Sequence, residues 1–204
     1  MTDPSFSIEQ QGHDPEKFQR LLTAAAHEFA RVGFAETNVD VIAREAGVAK
    51  GTVYLYFENK RALFLGVLDE LQRLLESAEL DSRPDASGGG RDGERLRAFI
   101  RRQLVLASQQ PDVFRCYTSA LFGVNRQFQD AALAVFASQV ARVRELMADD
   151  GAPSAQEAHD RAEILAASVL AAALVRGLGE RTRAGTALEE QMLLASITTE
   201  GGAR

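Results

Sequence analysis

Apolar residues fall at helical spacing along most of the chain. Phe18, Leu21, Leu22, Ala25, Phe29 and Val32 recur at intervals of three and four, which makes one stripe of an amphipathic helix. Pro15 suits its first turn, Asp14 its cap and Gly33 its end. Thr37 to Asp40 reads as a capping box with Thr37 as the cap, and Val39, Ile42, Ala43 and Ala46 make a short second stripe that Gly47 stops. The pattern then restarts at once. Val53 and Phe57 lie four apart on one face, and Lys50 and Tyr54 lie four apart on another. Asn59 caps a long helix with Leu63, Phe64, Val67, Leu68, Leu71, Leu74 and Leu75 inside. Residues 1–14 have no period and predict a disordered arm. Residues 81–93, DSRPDASGGGRDG, offer nothing to bury and predict a flexible loop.

The second half continues in helices. Leu96, Phe99, Ile100, Gln103, Leu104 and Ala107 form one stripe, ended by Pro111. Val113, Phe114, Tyr117, Ala120 and Leu121 form the next, ended near Gly123. Leu133, Phe136, Ala137, Val140, Val143 and Met147 form a third, ended by the turn at Gly151 to Pro153. The run ILAASVLAAALV, within residues 156–180, is apolar nearly all round, which predicts burial on both flanks. Leu188, Met192, Leu193 and Ile197 make a last, shorter stripe. No segment reads as a strand. The expected fold is all-α with about nine helices: an N-terminal three-helix domain over 15–60 and a larger helical domain over 61–204.

Composition adds limits. The 204 residues are 46% hydrophobic and 25% charged, ordinary for a globular chain. One cysteine, Cys116, permits no intramolecular disulfide and suits a reducing cytoplasm. The first residues lack the basic and apolar regions of a signal peptide, and the longest apolar run is too short for a membrane span. His13, His27 and His159 have no metal-ligand spacing, so neither a metal nor a cofactor is expected. No nucleophile elbow, zinc-protease helix or nucleotide fingerprint is present, which argues against an enzyme. A net charge of −6 argues against nucleic acid unless a local basic surface exists. Between Arg44 and Arg61 there is one: four basic residues against two acidic ones.

That basic segment holds two short helices joined by a glycine turn, the arrangement of a helix-turn-helix. Ala43 supplies the small residue where the helices cross, and Gly47 the left-handed turn. Val53, ten residues after Ala43, supplies the branched contact. Such a second helix presents its N-terminal side chains to the major groove. The stretch TNVDVIAREAGVAKGTVYLYFENKRALF, Thr37 to Phe64, resembles the DNA-binding segment of the TetR family of bacterial regulators. Nearly every fixed position of that family's pattern is matched, over about the first third of the chain.

The resemblance implies roles residue by residue. Lys50 reaches guanine O6 and N7, Gly51 allows close approach, and Thr52 meets a phosphate or a thymine methyl. Tyr54 and Tyr56 give phenol hydrogen bonds to phosphates. Lys60 and Thr37, each at a helix start, do the same. The departures are Ala49, where the family usually has a capping serine, and Asp40, which repels phosphate if it faces DNA.

The resemblance also implies a C-terminal ligand-sensing and dimerising domain. Phe99, Gln103, Phe114, Tyr117, Phe122 and Phe136 are the candidate lining of an apolar pocket for a hydrophobic small-molecule effector. Leu165, Val169, Ala172, Leu188 and Met192 are the candidate homodimer contacts. The expected function is a homodimeric repressor that releases a pseudo-palindromic double-stranded DNA operator when the effector binds, with no membrane partner. A helical binding module with weakened DNA contact, and activation in place of repression, stay open on sequence alone.

Overall fold

The computed structural model describes residues 14–80, 94–147 and 155–177. Among the described residues there are eight α-helices and no strand. They are α1 (Pro15–Glu36), α2 (Val39–Glu45), α3 (Lys50–Tyr56), α4 (Lys60–Leu80), α5 (Glu94–Gln109), α6 (Pro111–Leu121), α7 (Arg126–Leu146) and α8 (Ala155–Gly177). The ninth expected helix, with Leu188 and Met192, lies outside the described residues, as do the arm up to residue 13 and the loop over 81–93. The chain divides into two compact units, one ending at Glu70 and one beginning at Leu71, so the division falls within α4.

The first unit is built by its caps and its aromatic residues. The Asp14 side chain accepts from the Glu16 and Lys17 amides at 3.0 and 3.3 Å and starts α1. Gly33, at φ 81° and ψ 164°, breaks the helical path before Glu36; only glycine enters that region cheaply. The cap of α2 is Asn38, not Thr37: its side chain accepts from the Asp40 amide at 2.9 Å. Thr37 instead turns inward, 5% exposed, and its hydroxyl donates to the Gly33 carbonyl at 2.7 Å. Gly47, at φ 67°, makes the turn into α3. The Val48 amide closes it on the Ala43 carbonyl at 2.9 Å.

Leu21, Ile42, Ala43, Val53, Leu63 and Val67 are buried in this unit's core. Each fully buried large side chain contributes about 1.5–3 kcal/mol. Phe29 meets Phe64 edge-on at 5.0 Å, and Phe18 stacks on Phe57 at 5.5 Å. Asn59 starts α4 by accepting from the Ala62 amide. One turn on, a Cβ at Gly66 would lie 2.7 Å from Phe57 Cε1 and 3.4 Å from Leu22 Cδ2. That glycine is what lets α4 approach so closely.

In the second unit α8 packs against α5, α6 and α7. Ala162, Ala166, Ala172 and Ala173 are its buried positions, and small side chains there let the neighbouring helices close in. On the other flank Ile164 is 68% exposed, and Ala167 and Ala171 are exposed beside it among the described residues. The buried stripe of α7 is Phe128, Ala132, Val135, Val140 and Val143. Leu133 and Ala137, expected inside, are exposed. The helix is rotated from the expected face because Phe128 enters the core at its start. No described helix is long and apolar enough to cross a membrane.

Candidate nucleic-acid interface and ligand cavity

Helix α3 is seven residues long, and its cap position is Ala49, which makes no side-chain hydrogen bond. One residue anchors it. Val53 is 1% exposed, so the positions on the opposite side turn outward. Lys50, Gly51 and Tyr54 are exposed and Thr52 is half-buried. Leu55 is 69% exposed, a large apolar side chain on the same short helix. A Cβ at Gly51 would meet nothing within 4 Å, so the fold does not require glycine there.

Lys50 is already engaged. Its Nζ donates to Asp40 Oδ2 at 2.9 Å, and that hydrogen bond, with the carboxylate's charge, raises the ammonium's pKa above its ordinary value. The offset of ten residues expected to set Val53 against Ala43 also separates Asp40 from Lys50. The sequence placed Asp40 in a capping box and as a neighbour that repels phosphate if it faces DNA, but the same ten-residue offset also pairs it with Lys50.

Three of the expected phosphate contacts have intramolecular partners. The Tyr56 hydroxyl accepts from the Asp14 amide at 3.1 Å and donates to the Asp14 carbonyl at 3.2 Å, with its ring 6.0 Å from Phe18. It ties the end of α3 to the start of α1. Lys60 Nζ donates to the Ala35 and Thr37 carbonyls, both at 3.0 Å, and lies 4.9 Å from the centre of the Phe34 ring. It satisfies carbonyls that the end of α1 leaves open. Thr37 is bonded to Gly33 as described. Tyr54, 46% exposed, keeps its phenol outward.

The second unit holds a small cavity of about 30 Å³. Phe99, Gln103, Phe114, Tyr117 and Phe136, all candidates from the sequence, line it. Phe122 does not: it is 76% exposed, in the turn after α6. Gln139 was missed, although a polar residue set among the apolar positions of α7 was the signal for it. α4 contributes Leu71 and Leu75 to the wall, and α8 contributes Val169. Val169 and Ala172, expected at a dimer interface, are 6% and 2% exposed within their own unit, and Leu165 is half-buried. On the same helix Ile164, Ala167 and Ala171 are exposed among the described residues. Cys116 is 1% exposed, and burial pushes its thiol up to about 12, which removes the reactive thiolate.

Residues 21–67 match the family model described as bacterial regulatory proteins, tetR family. The fatty acid metabolism regulator protein of Bacillus subtilis (strain 168) is 35% identical over 91 residues, 44% of this chain and 45% of that protein. An HTH-type transcriptional repressor of Streptomyces coelicolor is 45% identical over 58 residues, 28% of this chain and 30% of its own length. The chain thus spans less than half the length of these curated relatives. Among solved structures, a TetR-like transcriptional regulator from Rhodococcus sp. RHA1 superposes with a TM-score of 0.71 at 22% identity, over 92% of this chain and 97% of that one. The regulator FadR of Bacillus subtilis, solved in complex with stearoyl-CoA, gives 0.72 at 16% identity over 89% and 98%. At such identities the likeness shows the all-helical fold. Residues 21–67 therefore carry the helix-turn-helix segment of the TetR family of bacterial regulators.

Proposed function

We propose that this protein is a ligand-responsive, homodimeric transcriptional repressor. It binds a pseudo-palindromic operator through α3 and releases it when a small, mainly apolar molecule enters the cavity of the second unit. The observation that carries this reading is the division of α3 by face: Val53 buried, with Lys50, Gly51 and Tyr54 turned outward together. Lys50 reads base edges, Gly51 admits close approach, and Thr52 and Tyr54 take phosphates. Tyr56, Thr37 and Lys60 act one step back, holding α3 and the starts of α2 and α4 in place. The exposed Ile164, Ala167 and Ala171 face of α8 is the contact offered to a second copy. Dimerisation sets two half-sites about one DNA turn apart. Effector binding acts through α4, which supplies Leu71 and Leu75 to the cavity wall and Lys60 to the helix-turn-helix.

The test is DNA binding on the region beside its own gene, followed by fluorescence anisotropy against random sequence. Lys50→Ala is expected to cost about 1–3 kcal/mol on the specific site, the worth of a good base contact. Equal affinity for operator and random DNA, in wild type at low salt, would sink this reading.

A further inference from the structure

The cavity of the second unit has a chemistry that narrows its occupant; the argument rests on the effector reading above. Three polar side chains from three helices line it: Gln103 on α5, Tyr117 on α6 and Gln139 on α7. Gln103 Nε2 donates to Gln139 Oε1 at 2.8 Å, so the two amides orient each other. The Gln139 amide also donates to Ser138 Oγ at a longer 3.4 Å. This leaves Gln103 its carbonyl oxygen as an acceptor, and each amide a further N–H.

Tyr117 is 3% exposed. Among the described residues its hydroxyl has no hydrogen-bond partner. An oxygen on a bound molecule would give that hydroxyl the partner that polar groups inside folded proteins nearly always have. Desolvation also holds its ionisation well above the ordinary tyrosine range, so it stays a neutral donor. The rest of the wall is aromatic and aliphatic, and among the described residues that line it there is no lysine, arginine or histidine. An anion moved there gives up hydration and finds no counter-charge. At about 30 Å³ the cavity has room for no more than a water or two as it stands, so an occupant must push its wall apart.

We infer that the cavity takes an uncharged, mainly apolar molecule carrying a carbonyl or hydroxyl oxygen, which Tyr117 and the Gln103–Gln139 pair bind. A free carboxylate does not suit this wall, and the phosphates of a coenzyme A thioester find no cation in it. The stearoyl-CoA held by the Bacillus subtilis neighbour is therefore not the pattern for this chain.

The experiment uses the full chain and three probes of equal chain length: decan-2-one, decanoate and decanoyl-CoA. Binding is read from the shift in thermal unfolding against probe concentration at pH 7.5. The ketone is expected to bind tightest, with decanoate weaker by at least about tenfold. Tyr117→Phe is expected to weaken the ketone about fivefold, the loss of one hydrogen bond, without lowering the unfolding temperature of the probe-free protein. Gln103→Leu is the second variant and predicts the same direction. The inference is overturned if decanoate or decanoyl-CoA matches the ketone, if both variants bind the ketone unchanged, or if no probe binds. DNA affinity is followed separately. A ketone that binds without loosening DNA defeats the release mechanism and leaves the ligand class standing.

Discussion

The two units use polar side chains in different ways. In the first, hydroxyls and ammonium groups are attached to backbone at fixed points: Tyr56 to Asp14, Lys60 to Ala35 and Thr37, and Thr37 to Gly33. Each bond fixes where one helix begins or ends. In the second unit, helices meet through apolar stripes, and the polar groups of the cavity bond mainly each other, Gln103 to Gln139. A DNA-reading surface needs side chains held at set spacing, because base edges present a rigid pattern. A ligand site needs shape and a few orienting groups. The contrast is between a surface whose framework is pinned and a container whose walls are greased.

The dryness of the container gives the largest measurable effect. Burial lifts the Cys116 thiol from 9.0 to about 12, so at pH 8 the folded protein holds about a thousandfold less thiolate than the unfolded chain. Iodoacetamide is expected to label Cys116 rapidly in urea and hardly at all in buffer. Equal labelling would mean that water reaches this interior. The linkage has a definite sign: the folded pKa is raised, so this contribution to stability is complete below pH 9 and is lost as pH rises toward 12.

Close packing in the first unit is tested at Gly66. Gly66→Val forces atoms against Phe57 and Leu22 and is expected to destabilise by about 1–3 kcal/mol, measured by urea unfolding. An unchanged midpoint would show that the Phe57 ring yields freely. The two tyrosines sharpen the distinction between framework and surface. Tyr56→Phe is expected to cost about 0.5–1.5 kcal/mol of stability by freeing Asp14. Tyr54→Phe is expected to leave stability alone and weaken DNA binding. If both variants behaved alike, that division would collapse. The smallest effect is at Ala49. Ala49→Ser restores a cap to α3 and is expected to add about half a kcal/mol, the low end for an exposed cap.

The same contrast explains what the sequence disclosed. Gly47, Ala43 and Val53 were legible because a helix-turn-helix fixes their spacing and each residue type answers a local steric demand. The stripes of α1 and α4 were legible for the same reason, as were the caps Asp14 and Asn59. The intramolecular bonds of Tyr56, Thr37 and Lys60 were not legible because their partners are carbonyls and amides, which every residue carries and no pattern marks. In α7 two apolar stripes compete along one helix, and Phe128, not Leu133, selects the buried one. Only the packing of α6 and α8 against it decides that. Phe122 read as core because aromatic residues usually are, but it sits one residue past the end of its helix. Val169 and Ala172 were placed on the outer flank because a helix apolar nearly all round does not declare which side faces its own unit.

Gly51 sets stability against function. It lies inside α3 with open space where a side chain would go, so the folded chain alone gains from alanine there, by about 1 kcal/mol of helix propensity. Selection for robustness alone would remove this glycine. A stabilised Gly51→Ala variant that grips DNA less well would identify it as a position where the protein forgoes thermal resilience to keep its reading surface flush with its target.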